Sequence, residues 1–254
     1  MRLPWLQSLV VRMPGGKIQR QLTVGILKYH GNFDPEPGAW RRMAILAARQ
    51  FAMRVTLRVV VPMKLSHATS SVRPSALNAR AGPDNKAAIN GPTPAAVSRA
   101  NPNLLLMTGT ADFALSNTEI NDLRHYLRGG GMLFSDAGGG NRNFSLAFET
   151  LCQKLFPHHA IESLPYNSTI YTGKMPGGTR AVHALYRKYF VQSHGIHRYG
   201  RLYGVKIHGR WVIVFSPYDV TSGLLGTNTW GILGYAPAYA PKLARNILCY
   251  CAAH

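Results

Sequence analysis

Between Leu104 and Ala137 the chain carries two short, unbroken apolar runs, LLLMTG and MLFSDA, with an amphipathic segment between them. Continuous apolar runs ended by Gly or Asp are the pattern of strands covered on both faces, and a helix joining two of them is the crossover of a parallel sheet. The joining segment reads as a helix over Asn117–Arg128. Ser116 and Glu119 stand at capping-box spacing, Ile120, Leu123, Tyr126 and Leu127 form one stripe, and Gly129-Gly130-Gly131 provides a left-handed stop. A loop, Gly138-Gly139-Gly140-Asn141-Arg142, then leads to a helix over residues 144–155 with Asn143 as its N-cap. In such sheets ligands bind beyond the carboxyl ends of the strands, here Thr108-Gly109-Thr110 and residues 136–140.

The flanking sequence extends the same pattern. Residues 22–29 (LTVGILKY) and 55–61 (VTLRVVV) predict strands, and residues 39–53 predict a helix with Trp40, Met43, Leu46, Ala47 and Phe51 inward. Residues 202–207 and 211–215 alternate around His208-Gly209-Arg210 as a hairpin, and residues 240–251 form a closing amphipathic helix. The expectation is a three-layer α/β fold with a mainly parallel sheet, a C-terminal hairpin and a last helix. Residues 21–254 form one domain after a basic leader, 1–20. Residues 63–102, rich in Ala, Ser, Asn, Pro and Gly, read as a low-complexity excursion: a disordered surface segment, a lid, or a stretch with a short helix near 94–99.

Composition restricts partners more than chemistry. Lys plus Arg number 29 against 10 Asp plus Glu, a net charge of +19, which favours nucleic acid, an anionic surface or phosphorylated ligands. The basic residues are scattered in pairs such as Arg41-Arg42 and Arg187-Lys188, as a solvated face would also scatter them. Cys152, Cys249 and Cys251 make no disulfide framework and no CxxC pair. No apolar run is long enough to span a membrane, and the N-terminal apolar patch is interrupted by Pro4 and Gln7, so a cytoplasmic protein is expected.

Several residue groups could carry chemistry. The turn after the second apolar run holds no thiol or hydroxyl at its apex, which argues against a nucleophile elbow. Its three glycines could bring backbone amides to a phosphate or carboxylate, with Arg142 adding charge, or simply make a tight turn, since neither GxGxxG nor GxxxxGK is matched. Asp136 and Asp219 stand at strand ends and Asp112 beside a third; they could act as acid and base or hold a hard cation, or cap turns by accepting amides. His183, His194 and His197 have loose ligand-like spacing without a supporting Cys or carboxylate, and read as loop histidines; no metal and no cofactor is expected.

The words LMTGTADFALSNTEINDLRHYLRGGGMLFSDAGGGNRNFSLAF, LFPHHAIESLP and GVKIHGRWVIVFSPYDVTSG, with NILCY in the closing helix, resemble the bacterial domain-of-unknown-function family DUF4159 over roughly residues 22–250. That family is grouped with class I glutamine-amidotransferase-like and trehalose-utilisation-like α/β domains, so the resemblance implies a flavodoxin-like or amidotransferase-like fold. Members commonly have His where this chain has Thr110, a Cys pair where it has Gly138-Gly139, and Cys near Ser222. A thiol or metal site built from those residues in relatives is therefore missing here. The leading expectation is an amidotransferase-like domain without the nucleophilic cysteine, binding a small anionic or polyhydroxylated ligand through Thr110, Asp136, Gly138, Gly139, Gly140, Arg142, Tyr218 and Asp219. The alternatives are a hydrolase acting on carbohydrate or amide through Asp136 and Asp219, with or without the assistance of a metal, and a basic module for nucleic acid or anionic surfaces.

Overall fold

A computed structural model describes residues 19–62, 65 and 101–254. Most of the expected leader, residues 1–18, and most of the 63–102 excursion lie outside the described residues. Arg20, assigned to the leader on sequence, begins the first strand.

Five parallel strands form the body of the sheet: β1 (Arg20–Leu27), β2 (Met53–Val60), β3 (Leu104–Gly109), β4 (Met132–Ala137) and β7 (Arg210–Ser216). Two more, β5 (Glu162–Ser163) and β6 (Tyr203–Ile207), add antiparallel at one edge, giving the order β2-β1-β3-β4-β7-β6-β5. The chain moves outward from β1 to β2, then crosses back to β3 and continues the other way. The carboxyl ends of β1 and β3 are thus a topological switch point.

The alternation within each apolar run explains why both faces are covered. Leu104 and Leu106 of β3, with Met132 and Phe134 of β4, join one core with α1 (Ala39–Phe51) and α7 (Ala240–Ala253). Leu105, Met107 and Leu133 turn to the other face, against α2 (Asn117–Arg128) and α3 (Arg142–Leu155). There Phe144, Phe148 and Phe215 stack in series, with centroids 6.3 and 4.8 Å apart.

The local signals hold with small shifts. Ser116 Oγ accepts the Glu119 amide at 3.3 Å while Glu119 Oε2 accepts the Ser116 amide at 2.8 Å, so the capping box is complete. The left-handed glycine after α2 is Gly130, at φ 99°, while Gly129 keeps a negative φ. α3 starts earlier than expected, because Asn141 rather than Asn143 caps it, accepting the Phe144 amide at 3.0 Å. The β6–β7 hairpin turns on His208 (φ 48°) and Gly209 (φ 80°), the positive-φ pair that a two-residue hairpin needs. Three short helices had no sequence signal: α4 (Thr169–Thr172), α5 (Lys188–His194) and α6 (Thr221–Leu224). Among the described residues no helix is long and apolar enough to cross a membrane.

Candidate functional site

Register brings Thr108 of β3 beside Asp136 of β4, and Asp136 beside Ser216 of β7, at the carboxyl ends of three adjacent strands. Asp136 is wholly buried and its carboxylate is fully occupied. Oδ1 accepts the hydroxyls of Thr108 (2.7 Å) and Thr221 (2.8 Å), and Oδ2 accepts the amides of Val220 (2.9 Å) and Thr221 (2.8 Å). The side chain therefore ties the end of β4 to the first turn of α6. Burial raises its pKa to about 6, with the nearby Asp219 adding to the rise, while the bonds from Thr108, Thr221 and Val220 oppose it.

Asp219 is also buried, and it faces the glycine run. Its Oδ2 accepts the Gly139 amide at 2.6 Å, and its Oδ1 accepts the amide and hydroxyl of Ser222 at 2.8 and 2.7 Å. Gly139 (φ 67°) and Gly140 (φ 75°) take the left-handed conformation that aims this amide inward. The glycine turn does hold a carboxylate, as an anion cradle would, but the carboxylate belongs to the chain itself. A Cβ at Gly139 would meet nothing within 4 Å, so the outer side of the turn is open.

Arg187, which sequence reasoning passed over, completes the buried network. It is 3% exposed, donates from Nη2 to Ser222 Oγ and from Nη1 to Thr227 O, both at 3.0 Å, and thus reaches Asp219 through Ser222. Its Nε has no hydrogen-bond partner among the described residues. Burial lowers the Arg187 pKa, and the charges of Asp219 and Glu36 oppose that. Half-buried Glu36, also missed, has its pKa raised by burial and by Asp219, against Arg187. Nothing in the sequence marks either residue, since the Arg187-Lys188 pair resembles the other scattered basic pairs.

The remaining expected residues divide between rim and elsewhere. Thr110 is exposed and its Oγ1 accepts Asn32 Nδ2 at 2.9 Å, leaving its own hydroxyl hydrogen available. Gly138 is buried against Thr110, and Gly140 packs on Leu233. Arg142, the first residue of α3, is exposed and makes no hydrogen bond or ion pair among the described residues. Tyr218 stands apart: its ring packs edge-on against Tyr186 and Phe190, and its hydroxyl meets Arg201 at 3.4 Å. Asp112 lines a separate groove of 580 Å³ with Phe113 and α3.

Other chemistries find little geometry here. All three cysteines are buried, with burial pushing Cys251 up to about 12 and raising Cys152 and Cys249 as well. His197 bonds His194 O and Arg201, and His183 packs on Tyr199. Among the described residues, no three or more of His, Cys, Asp and Glu are placed to hold a metal ion.

Fold and site together define a mainly parallel α/β protein whose strand-end carboxylates, Asp136 and Asp219, are buried and hydrogen-bonded within the chain itself. Residues 85–251 match the domain of unknown function DUF4159, and the chain belongs to that family. No curated protein matches the chain.

Proposed function

We propose that this chain is a flavodoxin-like, three-layer domain of the class I glutamine-amidotransferase-like type that binds a small anionic or polyhydroxylated ligand at the strand ends without covalent chemistry. The strand order β2-β1-β3-β4-β7, with helices on both faces and a switch point between β1 and β3, supports the fold assignment.

One observation carries the binding reading. Every acceptor position of Asp136 and Asp219 that faces a donor is spent inside the protein, whereas Thr110, the open side of Gly139 and Arg142 are left at the surface above them. The rim offers a hydroxyl, an amide-bearing neighbour in Asn32 and a guanidinium, which suit carboxylate, phosphate or sugar hydroxyls. The same observation weighs against Asp136 and Asp219 as hydrolytic acid and base, because such groups must reach the proton they transfer.

The test is a thermal-shift panel of sugars, sugar acids and phosphorylated metabolites on the wild type, Thr110→Val and Arg142→Gln. A ligand that binds only the native state raises the midpoint by mass action. A stabilising compound whose effect is lost in both variants supports the reading. No stabilising compound, or one that acts equally on all three proteins, overturns it.

A further inference from the structure

From Ser163 to His254 the chain holds ten Lys and Arg and a single acidic residue, Asp219, which is buried and spent on Gly139 and Ser222. Outside the described residues the sequence has one acidic residue, Asp84, too little to neutralise the set. The same segment carries much of the exposed apolar surface. Of the eight large apolar side chains exposed among the described residues, five fall between residues 166 and 230: Tyr166, Leu185, Ile196, Tyr199 and Trp230.

These residues meet around α5. Tyr166 and Tyr199 stack with centroids 4.3 Å apart, and His183 lies beside Tyr199 at 5.7 Å. Tyr189 of α5 meets Trp230 edge to face at 5.4 Å. Tyr186 joins the two pairs. Its hydroxyl donates to Tyr199 O at 2.9 Å, and its ring stacks at 4.1 Å on Phe190, the chain neighbour of Tyr189. Tyr166 is 51% exposed and Trp230 64%, so ring surface stays open to solvent in both pairs. Cations are interleaved with the rings. Lys188, Arg198 and Arg201 are exposed, and none makes an ion pair with a described residue. Arg201 is positioned by His197 Nδ1 at 3.1 Å and the Tyr218 hydroxyl at 3.4 Å, partners that are not carboxylates and leave its charge uncompensated.

We propose that this face, separate from the strand-end rim, binds single-stranded nucleic acid. Lys188, Arg198 and Arg201 take the phosphates, and unpaired bases stack on the open surfaces of Tyr166 and Trp230. The rings decide between anionic partners. An acidic polypeptide needs the cations alone, and a duplex keeps its bases stacked on one another, away from side-chain rings. An anionic membrane takes up an amphipathic helix with a broad apolar face, whereas α5 has seven residues and its Phe190 is buried in the core.

Fluorescence anisotropy of the full chain with labelled oligothymidylate and oligouridylate of roughly 15 nucleotides tests this. A DNA duplex of equal length and vesicles of phosphatidylserine in phosphatidylcholine are the comparison arms. The tighter of the two single strands shows whether the partner is DNA or RNA, and it is expected to bind at least about tenfold tighter than the duplex. Trp230→Ala and Tyr199→Ala are each expected to weaken binding at least about fivefold without changing its salt dependence, while Tyr199→Phe, which keeps the ring, binds as the wild type does. Arg198→Gln is expected to reduce the salt slope by about 0.7. Arg128→Gln, an equal loss of charge at an exposed position of α2 on the other side of the sheet, is expected to leave that slope unchanged. Circular dichroism checks the fold of each variant; should Tyr199→Ala not fold, Trp230→Ala at its exposed position carries the test. No binding, a duplex held as tightly as the single strands, ring variants that bind as the wild type does, an Arg128→Gln effect equal to that of Arg198→Gln, or vesicles bound in preference to the oligonucleotides would each overturn the proposal.

Discussion

Replacing Asp136 by Asn separates the charge of this buried group from its hydrogen bonds. Burial, with the charge of Asp219 adding to it, raises the Asp136 pKa from 3.8 to about 6 in the folded protein. Because the folded value is the higher one, the native state holds the proton more tightly. The resulting stability is fully present below the unfolded value and is lost as pH rises through the folded value. The whole difference corresponds to about 3 kcal/mol, of which about 2 kcal/mol is lost between about pH 4.5 and about pH 7.5. Asn presents its oxygen to the amides of Val220 and Thr221 and its NH₂ to the hydroxyls of Thr108 and Thr221, which can rotate to accept. The cost of that rotation is about 1 kcal/mol, for one hydroxyl left short of a partner. Urea unfolding of both proteins across this pH range should therefore show Asp136→Asn gaining about 2 kcal/mol on the wild type as pH rises. Asp34 and Glu36, also raised by burial, add a slope of the same sign that is common to both proteins and cancels in the difference. A difference that stays constant or falls with pH would refute the buried-carboxylate account.

Two further outcomes follow from packing and from the hairpin. Phe148→Ala removes the middle ring of the Phe144–Phe148–Phe215 stack at a fully buried position and should cost about 3–5 kcal/mol in urea unfolding. His208→Asn places a residue that tolerates positive φ at the first turn position of the β6–β7 hairpin. It should stabilise by about 0.5 kcal/mol, read as a small rise in thermal midpoint.

The elements legible in the sequence are those whose signals are local. The runs 104–109 and 132–137 declare themselves as strands because both faces are buried, and α2 because a capping box, a stripe and a glycine stop coincide. His208-Gly209 marks the hairpin for the same reason. The short helices α5 and α6 carry no such signal, since what fixes α6 is the Asp136 carboxylate arriving from another strand. Asp136 and Asp219 were legible as residues at strand ends, but whether they face solvent or backbone depends on how the loop from Asp219 to Leu233 folds over the glycine turn. That closure is tertiary: Leu233 N bonds Gly139 O, and Asp219 bonds Gly139 N. Arg187 and Glu36 join the network from distant segments, and no spacing rule links them to Asp219. Tyr218 directly precedes Asp219 yet points into the cluster around Tyr186 and Phe190, because the chain bends after β7, where Ser216 Oγ accepts the Tyr218 amide and donates to its carbonyl.

The most direct test of the strand-end account is a ¹H–¹⁵N correlation titration of the labelled protein with the strongest compound from the thermal-shift panel. Saturable shifts confined to the amides of Asn32, Thr110, Gly139, Gly140 and Arg142 are the expected result. Shifts that leave these amides unmoved, or that spread evenly over the basic surface, would contradict it.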